Sequence, residues 1–508
     1  MAAEDKDHTV EIEGLNLKTS YQQLPAKLFT SVRPTPVKKP AVVMYNESLG
    51  KDLGVAVKNP DSSKIAAVFS GNEIPKDALP IAQAYAGHQF GHFTVLGDGR
   101  AILLGEQITP KGERYDIQLK GSGRTPYSRR GDGRAGLGPM LREYIISEAL
   151  HALGIPSTRA LAVVSTGETI LREKRLPGAI LTRVASSHIR VGTFEYIAHF
   201  GNINELKALA DYTIERHFPN MMSTSPPETE DYGNREGSDN KYLSFFEQVL
   251  DRQALLMAKW QLIGFIHGVM NTDNMALSGE TIDYGPCAFM NRYDPDTVFS
   301  SIDRGGRYAY KNQPQIAQWN LARLAETLIP LIHQDQAQGI ETIKKSLQTF
   351  SLRYERYWRQ NMGKKIGIFQ ASKEDVPLME ELLQIMKEEN QDFTNTFFAL
   401  TYDKENELTI KEHEQFLAWL DKWKARLEEQ KKTEGEVKEL MRAHNPVLIP
   451  RNHQVERAID AAVEKEDYSV MENLMKALRS PYQFSSEKEP YQLPPDPSDK
   501  PYVTYCGT

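Results

Sequence analysis

The chain has 508 residues, of which 40% are hydrophobic and 25% are charged, and its net charge is -7. This length allows two or three structural units, and the composition is that of a soluble globular protein. The net negative charge argues against a general nucleic-acid binder, and no run of about 18 apolar residues provides a membrane span.

The first residues and the cysteines indicate the compartment. The opening sequence, MAAEDKDHTVEIEG, is acidic and polar and lacks the features of a signal or transit peptide. Cys287 and Cys506 are the only cysteines, which excludes a disulfide framework and fits a reducing compartment. We therefore expect a cytoplasmic monomer that binds neither nucleic acid nor membrane.

The first half of the chain is predicted to be rich in strands. Residues 32–46 (VRPTPVKKPAVVMYN) predict an extended lead-in, because each proline disfavours helix before it. Strands are expected within 92–107 and 114–120, and a helix from near Pro139 to Gly154. Further strands are expected in ALAVVST, ETILRE and GAILTRVA, between residues 160 and 185.

The second half is predicted to be mainly helical. One long apolar-periodic helix is expected from Phe245 to His267, and helical periodicity recurs later in the chain, at residues 315–360, 375–400 and 408–432. The polar segment 219–240 predicts a mobile loop. The proline-rich tail from Ser480 predicts an extended chain.

Two glycine-rich segments are candidates for phosphate binding. In the turn 96–100, Gly97 and Gly99 would let backbone N–H groups approach a phosphate beside Arg100, but Asp-Gly hairpin turns are common, and a simple hairpin is the favoured alternative for this turn alone. The segment GDGRAG at 131–136 matches G-x-G-x-x-G, yet no apolar strand precedes it, so it is not a dinucleotide fingerprint. Its arginines favour an anion-binding loop around Asp132 and Gly133, with a flexible connector as the alternative; these arginines are Arg124, Arg129, Arg130 and Arg134.

Lys120 ends a predicted strand, as the phosphate-binding lysine of kinases does. Glu143 lies on the following helix and is a plausible partner, with Glu148 on the same helix as its competitor. The alternative is an exposed surface lysine. Arg183 and Arg190 are suggestive of phosphate binding, since the guanidinium group binds phosphate in a bidentate manner.

The strongest signal is HGVMNTDN at 267–274, followed by Asp283-Tyr284-Gly285. Kinases carry His-x-Asp-x-x-x-x-Asn and then Asp-Phe-Gly, in which Asn and the second Asp hold the metal. His267 and Asn274 keep this spacing, but Val269 occupies the position of the base, and Asp273 adds a carboxylate beside Asn274. The sequence thus predicts a metal-dependent phosphate chemistry with Asp273 free to accept a proton, against the alternative of a simple capped turn.

These stretches together resemble the selenoprotein-O family of pseudokinases. The matching segments are long and specific and lie between about residues 80 and 330: YAGHQFGHFTVLGDGRAILLGE, YDIQLKGSGRTPYSRRGDGRAGLGPMLREYIISEA, LTRVASSHIRVGTFE and GVMNTDNMALSGETIDYGPCAFM. The resemblance implies an α+β, two-lobed protein-kinase-like fold with a mostly helical C-terminal extension. It also implies transfer of AMP from ATP, bound in a flipped orientation, to Ser, Thr or Tyr hydroxyls of protein substrates, and some bacterial members use UTP with manganese.

The resemblance also implies roles for individual residues. Asp273 would accept the proton, Asn274 and Asp283 would hold Mg²⁺ or Mn²⁺, and Glu143 would pair with Lys120. The nucleotide would contact Gly97, Gly99, Arg100, Lys120, Asp132, Gly133, Arg183 and Arg190. We accordingly divide the chain into an N-terminal extension (1–80), an N-lobe (81–195), a C-lobe (196–335), a helical extension (336–480) and an extended tail (481–508).

Two alternatives to this function stay open at the level of sequence. A phosphotransferase is one, because the loop also resembles that of antibiotic kinases. A nucleotide-binding scaffold without turnover is the other, because Val269 replaces the kinase base. A regulatory disulfide between Cys287 and the tail residue Cys506 is a further hypothesis, against two unrelated thiols.

Overall fold

A large antiparallel sheet dominates the first half of the chain. The computed structural model describes residues 9–55, 57, 59, 62–221 and 240–496. The strands of these residues are β1 Thr9–Val10, β2 Leu17–Lys18, β3 Phe29–Ser31, β4 Ala41–Tyr45, β5 Ile74–Pro75, β6 Ile81–Gln83, β7 Ala86–Gln89, β8 His92–Val95, β9 Ala101–Ile108, β10 Arg114–Lys120, β11 Ala135–Gly136, β12 Arg159–Leu171, β13 Arg175–Ala185, β14 Phe265–Ile266 and β15 Ala288–Phe289.

The main sheet has nine strands, with the order β3-β6-β9-β10-β13-β12-β4 and with β2 beside β9 and β11 beside β13. All its pairings are antiparallel. Gln118 on β10 lies opposite Arg183 on β13, so the end of β10 at Lys120 and the middle of β13 are adjacent. The neighbouring hairpin β7–β8 forms a separate two-stranded sheet.

The second half of the chain is helical, as predicted. The helices of the described residues are α1 Glu47–Leu53, α2 Ser63–Ser70, α3 Leu137–Ala152, α4 Val191–Phe200, α5 Ile203–His217, α6 Lys241–Leu262, α7 Gln313–Ile332, α8 Gln336–Gln348, α9 Phe350–Lys365, α10 Val376–Glu388, α11 Phe393–Thr401, α12 Glu414–Glu429, α13 Glu434–His444, α14 Asn452–Lys465, α15 Ser469–Leu478 and α16 Glu489–Gln492. Within the parts of the chain that the structure describes, none of these helices has the length and apolar character needed to cross a membrane.

Both faces of the main sheet are buried. Along β13 the side chains alternate: Leu181 packs into a core shared with α3, whereas Ile180 packs into a second core shared with α1 and α2. Helices α1 and α2, which carry Leu49 and Phe69 into this second core, were not predicted from the sequence. The segment before residue 80 therefore supplies strands β2, β3 and β4 and the cover of one sheet face, and residues 32–46 run extended into β4 as predicted.

The predicted helix boundaries are confirmed at α3 and wrong at α6. Helix α3 ends before Gly154, whose φ of +72° is the left-handed conformation that glycine adopts freely after a helix. Helix α6 ends at Leu262 and does not reach His267, because Gly264 at φ +70° redirects the chain into β14. This break lets β14 pair with β15 and places His267 at the start of a loop.

Two predicted segments lie largely outside the described residues. Residues 222–239 cover most of the predicted loop 219–240, and residues 497–508 cover the end of the predicted extended tail, including Cys506. The described part of that tail contains the short helix α16.

Candidate active site

Lys120, at the end of β10, lies between two carboxylates. Its Nζ donates hydrogen bonds to Glu143 Oε2 on α3 at 2.7 Å and to Asp283 Oδ1 at 2.9 Å. Glu148, the sequence competitor of Glu143, instead pairs with Arg159 at 2.7 Å. The lysine is therefore buried and paired, which excludes the alternative of an exposed surface lysine.

Two arginines complete this cluster of charges. Arg183 donates from Nε to Glu143 Oε1 at 2.7 Å and from Nη2 to Asp283 Oδ1 at 2.5 Å. Arg190, which precedes α4, lies 3.3 Å from Asp283 Oδ2 through Nη1 and packs over the ring of Tyr85 at 4.4 Å. Three cations thus contact two carboxylates, and the excess positive charge favours an added anion such as phosphate.

The cluster keeps both carboxylates ionised. Burial opposes the charge of Asp283, but Arg183, Lys120 and Arg190 hold its pKa well below its usual value. Burial likewise opposes the charge of Glu143, and Arg183 and Lys120 lower its pKa. Both carboxylates therefore stay ionised at ordinary pH values, because each is contacted by at least two of the three cations.

The backbone holds Asp283 in place. Its φ of +65° is left-handed, a conformation that aspartate tolerates better than most residues. His267, the first residue of the kinase-like loop, donates a hydrogen bond from Nε2 to the carbonyl of Ile282 at 2.8 Å. Burial lowers the pKa of His267, so the ring is neutral and acts as a structural tie to the residue before Asp283.

Asp273 differs from Asp283 in its surroundings. It is 8% exposed, and its Oδ1 has no hydrogen-bond partner among the residues that the structure describes. Burial raises the pKa of Asp273 to about 7, while Arg190 works in the opposite direction. Arg190 also donates from Nη1 to the backbone carbonyl of Asp273 at 2.9 Å, so this one guanidinium joins the Asp273 loop to Asp283.

Gly87 on β7 forms one wall of the Asp273 site. A Cβ atom at this position would lie 2.2 Å from Asp273 Oδ1, which no side chain permits. The close approach of backbone to carboxylate therefore requires glycine here. Gly87 was not among the predicted site residues, although it lies in YAGHQFGHF, the start of one of the segments that carry the family resemblance.

A second group supports the Asp273 loop. Glu195 on α4 accepts a hydrogen bond from Thr272 Oγ1 at 2.5 Å and contacts the ring of His88. The backbone N–H of His88 donates to the same Thr272 hydroxyl at 2.6 Å. His88 thus serves loop hydrogen bonding. Glu195 was not predicted, because nothing local in the sequence marks it.

The donor atoms near Asp283 suit a magnesium or manganese ion. Asn274 donates from Nδ2 to the Val269 carbonyl at 2.9 Å, and this leaves its amide oxygen as an acceptor. The amide of Asn274 and the carboxylate of Asp283 would both offer oxygen ligands, which Mg²⁺ prefers. In the described ranges no group of three or more His, Cys, Asp or Glu residues is placed to hold a metal ion.

The turn 96–100 is not a hairpin. Strand β8 before it pairs with β7, whereas β9 after it pairs with β10 in the main sheet. Asp98 in this turn is buried and accepts hydrogen bonds from the N–H of Gln83 at 3.1 Å and from Gln118 Nε2 at 3.2 Å. The turn therefore leads from the hairpin to the sheet, with Gly97 and Gly99 at its corner.

The loop 121–134 packs on this turn. Thr125 Oγ1 donates to the Asp98 carbonyl at 2.6 Å, and Ser128 donates to the Gly99 carbonyl. The two glycine-rich segments thus form one surface. Gly133, at φ +71°, approaches Gly123 so closely that a Cβ would lie 2.1 Å from its carbonyl.

The charged residues of these segments have different surroundings. Asp132 is exposed and forms a bidentate pair with Arg172, with both distances 2.8 Å. Arg129 donates to the Val95 carbonyl at 2.7 Å, and Arg134 donates to the Thr35 and Pro36 carbonyls. Two of the four loop arginines, Arg129 and Arg134, thus fix the loop. The other two, Arg124 and Arg130, and Arg100 of the turn have no side-chain hydrogen bond among the described residues.

Cys287 lies near the site but is fully buried. Burial raises the pKa of its thiol to about 11, so it is a poor nucleophile in the folded chain. Cys506, its hypothetical partner, lies outside the described residues. The disulfide hypothesis stays a prediction.

Comparison with known proteins gives a consistent result. The family model described as "Protein adenylyltransferase SelO" matches residues 11–479. The protein nucleotidyltransferase YdiU of Halalkalibacterium halodurans is 57% identical over 498 residues, which are 97% of this chain and 98% of that protein. The YdiU proteins of Bacillus cytotoxicus (97% of this chain, 98% of that protein) and Brevibacillus brevis (99% and 100%) are each 56% identical.

The charge cluster generates a test of stability. We expect Glu143→Gln to lower the free energy of unfolding by about 3–5 kcal/mol, because Lys120 and Arg183 would then share one carboxylate in a buried site. Urea denaturation followed by fluorescence measures the change. In the control, Glu11→Gln removes the exposed ion pair with Lys76 and should cost at most about 1 kcal/mol. Equal effects of the two substitutions would contradict the structural role of Glu143.

Proposed function

Since the chain belongs to the SelO family of protein adenylyltransferases, we propose that it transfers AMP from ATP to Ser, Thr or Tyr hydroxyls of proteins and releases pyrophosphate. UTP is the proposed alternative nucleotide, and manganese the alternative to magnesium. One observation carries the proposal. The site combines a buried carboxylate, Asp273, whose Oδ1 has no hydrogen-bond partner among the described residues, with a cationic cluster around Asp283. We also propose that residues 81–195 and 196–335 are the two lobes of a kinase-like fold, followed by the helical extension 336–480.

The cationic cluster is the proposed pocket for the terminal phosphates. Lys120, Arg183 and Arg190 are buried around Asp283, and their charge exceeds that of the two carboxylates they contact. When the γ-phosphate of a bound triphosphate occupies this pocket, the α-phosphate lies closer to Asp273 than the γ-phosphate does. The surface made by the two glycine-rich segments holds the remainder of the nucleotide, with contacts from Gly97, Gly99, Arg100, Asp132 and Gly133.

The proposed reaction needs one proton acceptor. The substrate hydroxyl attacks the α-phosphorus, its proton moves to Asp273 Oδ1, and the bond from the α-phosphorus to the bridging oxygen breaks so that pyrophosphate leaves. Lys120, Arg183 and Arg190 stabilise the negative charge that moves onto pyrophosphate. Asn274 and Asp283 would hold a divalent cation, which supplies further neutralisation of phosphate charge when bound.

Kinase activity is not favoured by the site. The position of the kinase base is Val269, which is 9% exposed and has no group that accepts a proton. The carboxylate that replaces it, Asp273, comes four residues later in the loop. Proton acceptance therefore takes place elsewhere in the site than in a kinase.

Labelled nucleotides test the proposed reaction directly. With ATP labelled at the α-phosphate, and magnesium or manganese present, we expect label on protein and unlabelled pyrophosphate in solution. With ATP labelled at the γ-phosphate, we expect no label on protein. Label from the γ-position alone would indicate a kinase, and tight ATP binding without any product would indicate a scaffold.

Substitution of the two aspartates separates their roles. Asp273→Ala should reduce turnover by about 10²–10⁴-fold, the usual contribution of a general base, with little change in the Kd for ATP. Asp283→Ala should abolish transfer and weaken the binding of the nucleotide with its metal. Both constants are measured by calorimetry and by incorporation of α-label. Near-full turnover of Asp273→Ala would remove the proposed role of this residue.

Gly87 offers a test that leaves every charged residue unchanged. Gly87→Ala places a methyl group where Asp273 Oδ1 lies, and the carboxylate must move. Because a displacement of about 1 Å can cost about 100-fold in rate, we expect a loss of turnover of that order with the Kd for ATP nearly constant. Gly305→Ala is the matched control, because a Cβ there meets no atom within 4 Å. Comparable turnover in the two variants would show that the close approach is irrelevant to catalysis.

A further inference from the structure

The hairpin β7–β8 stands directly beside the proposed base. Strand β7 carries Gly87 against Asp273 and the His88 N–H against Thr272. Strand β8 pairs with β7 and with no other strand of the described residues. The outer edge of β7 therefore faces the Asp273 loop. The outer edge of β8, on the opposite side of the hairpin, has no strand paired to it in the described residues.

The hydrogen-bond alternation shows which groups this edge presents. The N–H of Leu96 donates to the Tyr85 carbonyl. These two residues lie opposite each other, since the next pair along the hairpin is Ala86 and Val95. In an antiparallel pair every second residue is hydrogen-bonded to the partner, so Phe93 and Val95 direct their N–H and carbonyl groups away from β7. Arg129 donates to the outward carbonyl of Val95, in agreement with this direction. The N–H of Val95 and the N–H and carbonyl of Phe93 are therefore available, among the described residues, to form hydrogen bonds with another chain.

The side chains along this edge are apolar and exposed. Phe93 is 39% exposed and Val95 45%, and the ring of Phe93 contacts His199, which contacts Phe200 on α4. Phe200 is itself 42% exposed. Phe93, Val95 and Phe200 are therefore exposed apolar side chains near this edge that a docked segment could cover.

The two faces of the hairpin have different neighbours. Gly87 lies opposite Thr94 and presents its face to Asp273, whereas Phe93 and Val95 lie on the other face, because successive side chains of a strand alternate. A strand paired to β8 alternates in the same way. Every second side chain would project to the face of Asp273, and the others would cover Phe93 and Val95.

Charge distinguishes one end of the edge. Arg307 lies beside Gly91 in the hairpin turn, about 3.9 Å from a Cβ built there, and packs over the ring of Trp319 at 4.9 Å. It forms no ion pair within the described residues, and its Nε has no hydrogen-bond partner there. An acidic side chain at this end of a docked segment would meet an unpaired cation.

We propose that the free edge of β8 is the docking site for an extended segment of the protein substrate, in which apolar and hydroxyl side chains alternate and an acidic residue lies beside the hairpin turn. The proposal rests on the proposed function. An added strand lies about 5 Å beyond β8 and about 10 Å from β7. At least about three residues of extended chain are needed to span that distance to the Asp273 site. Pairing of main chains provides affinity with little demand on sequence, the alternation places apolar side chains on Phe93 and Val95, and the chain beyond the paired residues carries the hydroxyl to Asp273.

Binding is tested without nucleotide, by fluorescence anisotropy of a fluorescein-labelled synthetic peptide. The peptide alternates valine with threonine and carries two glutamates at one end. Val95→Pro removes the outward N–H without touching the pairs between β7 and β8, and it should weaken binding about tenfold or more. Val95→Ala keeps the N–H and should bind more tightly than Val95→Pro, whereas Leu171→Ala, at a distant 72% exposed leucine, should match the parent.

The same pairing is tested on the parent protein with a peptide that carries N-methyl groups on alternate amides. This result does not depend on the folding of a variant. The methylated peptide should also bind about tenfold more weakly. Arg307→Gln should weaken binding about threefold, and the difference should vanish when the peptide glutamates are glutamines. Binding of Val95→Pro and of the methylated peptide within twofold of their parents would overturn the proposal. So would a dimer, seen by light scattering, that dissociates on Val95→Pro, since the edge would then belong to a second copy.

Transfer of α-label to the same peptide separates this inference from the proposed function. Edge-dependent binding without any transfer would support docking and count against adenylyl transfer. Equal transfer to the peptide by the parent chain and by Val95→Pro would support adenylyl transfer and overturn docking.

Discussion

The buried contact of Lys120 and Arg183 with Glu143 and Asp283 is the constraint on which the rest of the structure depends. Removing charges from water costs several kcal/mol per ion, and the cost is offset only if each ion meets its partner in good geometry. Strands β10 and β13, helix α3 and the loop after Ile282 must therefore reach one point together. The sheet with its helix and the loop segment therefore cannot shift independently.

Two neighbouring aspartates have opposite electrostatic surroundings in this site. Asp283 meets three cations and stays ionised, whereas Asp273 is buried with one oxygen unpartnered and has a pKa of about 7. Arg190 touches both, through the carboxylate of one and the backbone carbonyl of the other. Environments that separate the proton affinities of two carboxylates allow the two groups to have different roles, which supports the proposal of Asp273 as the base.

The segment before the main strands does more than lead into the fold. Helices α1 and α2 cover the sheet face opposite α3, and β2, β3 and β4 extend the sheet. The hairpin β7–β8 continues from this region and closes the Asp273 loop through Gly87 and His88. The proposed catalytic loop is thus bounded on one side by the first hundred residues of the chain.

The sequence by itself determined the local features: the spacing of His267, Asn274 and Asp283, the end of α3 at Gly154, and the helical character of the second half. Each depends on residues within one loop or one helix. The partner of Lys120 was left open between Glu143 and Glu148, which lie on different faces of α3 since five residues rotate a helix by about 140°. Only packing of α3 on the sheet decides between them.

The tertiary structure alone also decided that Arg183 and Arg190 meet Asp283, that the turn at Gly97 joins two sheets, and that Gly87 touches Asp273. Lys120 and Asp283 are 163 residues apart, and His88 and Thr272 are 184 residues apart. Contacts of this kind follow from which faces of strands and helices bury each other. Hydrophobic periodicity predicts an individual helix or strand, but it does not predict which other helix or strand that element will contact.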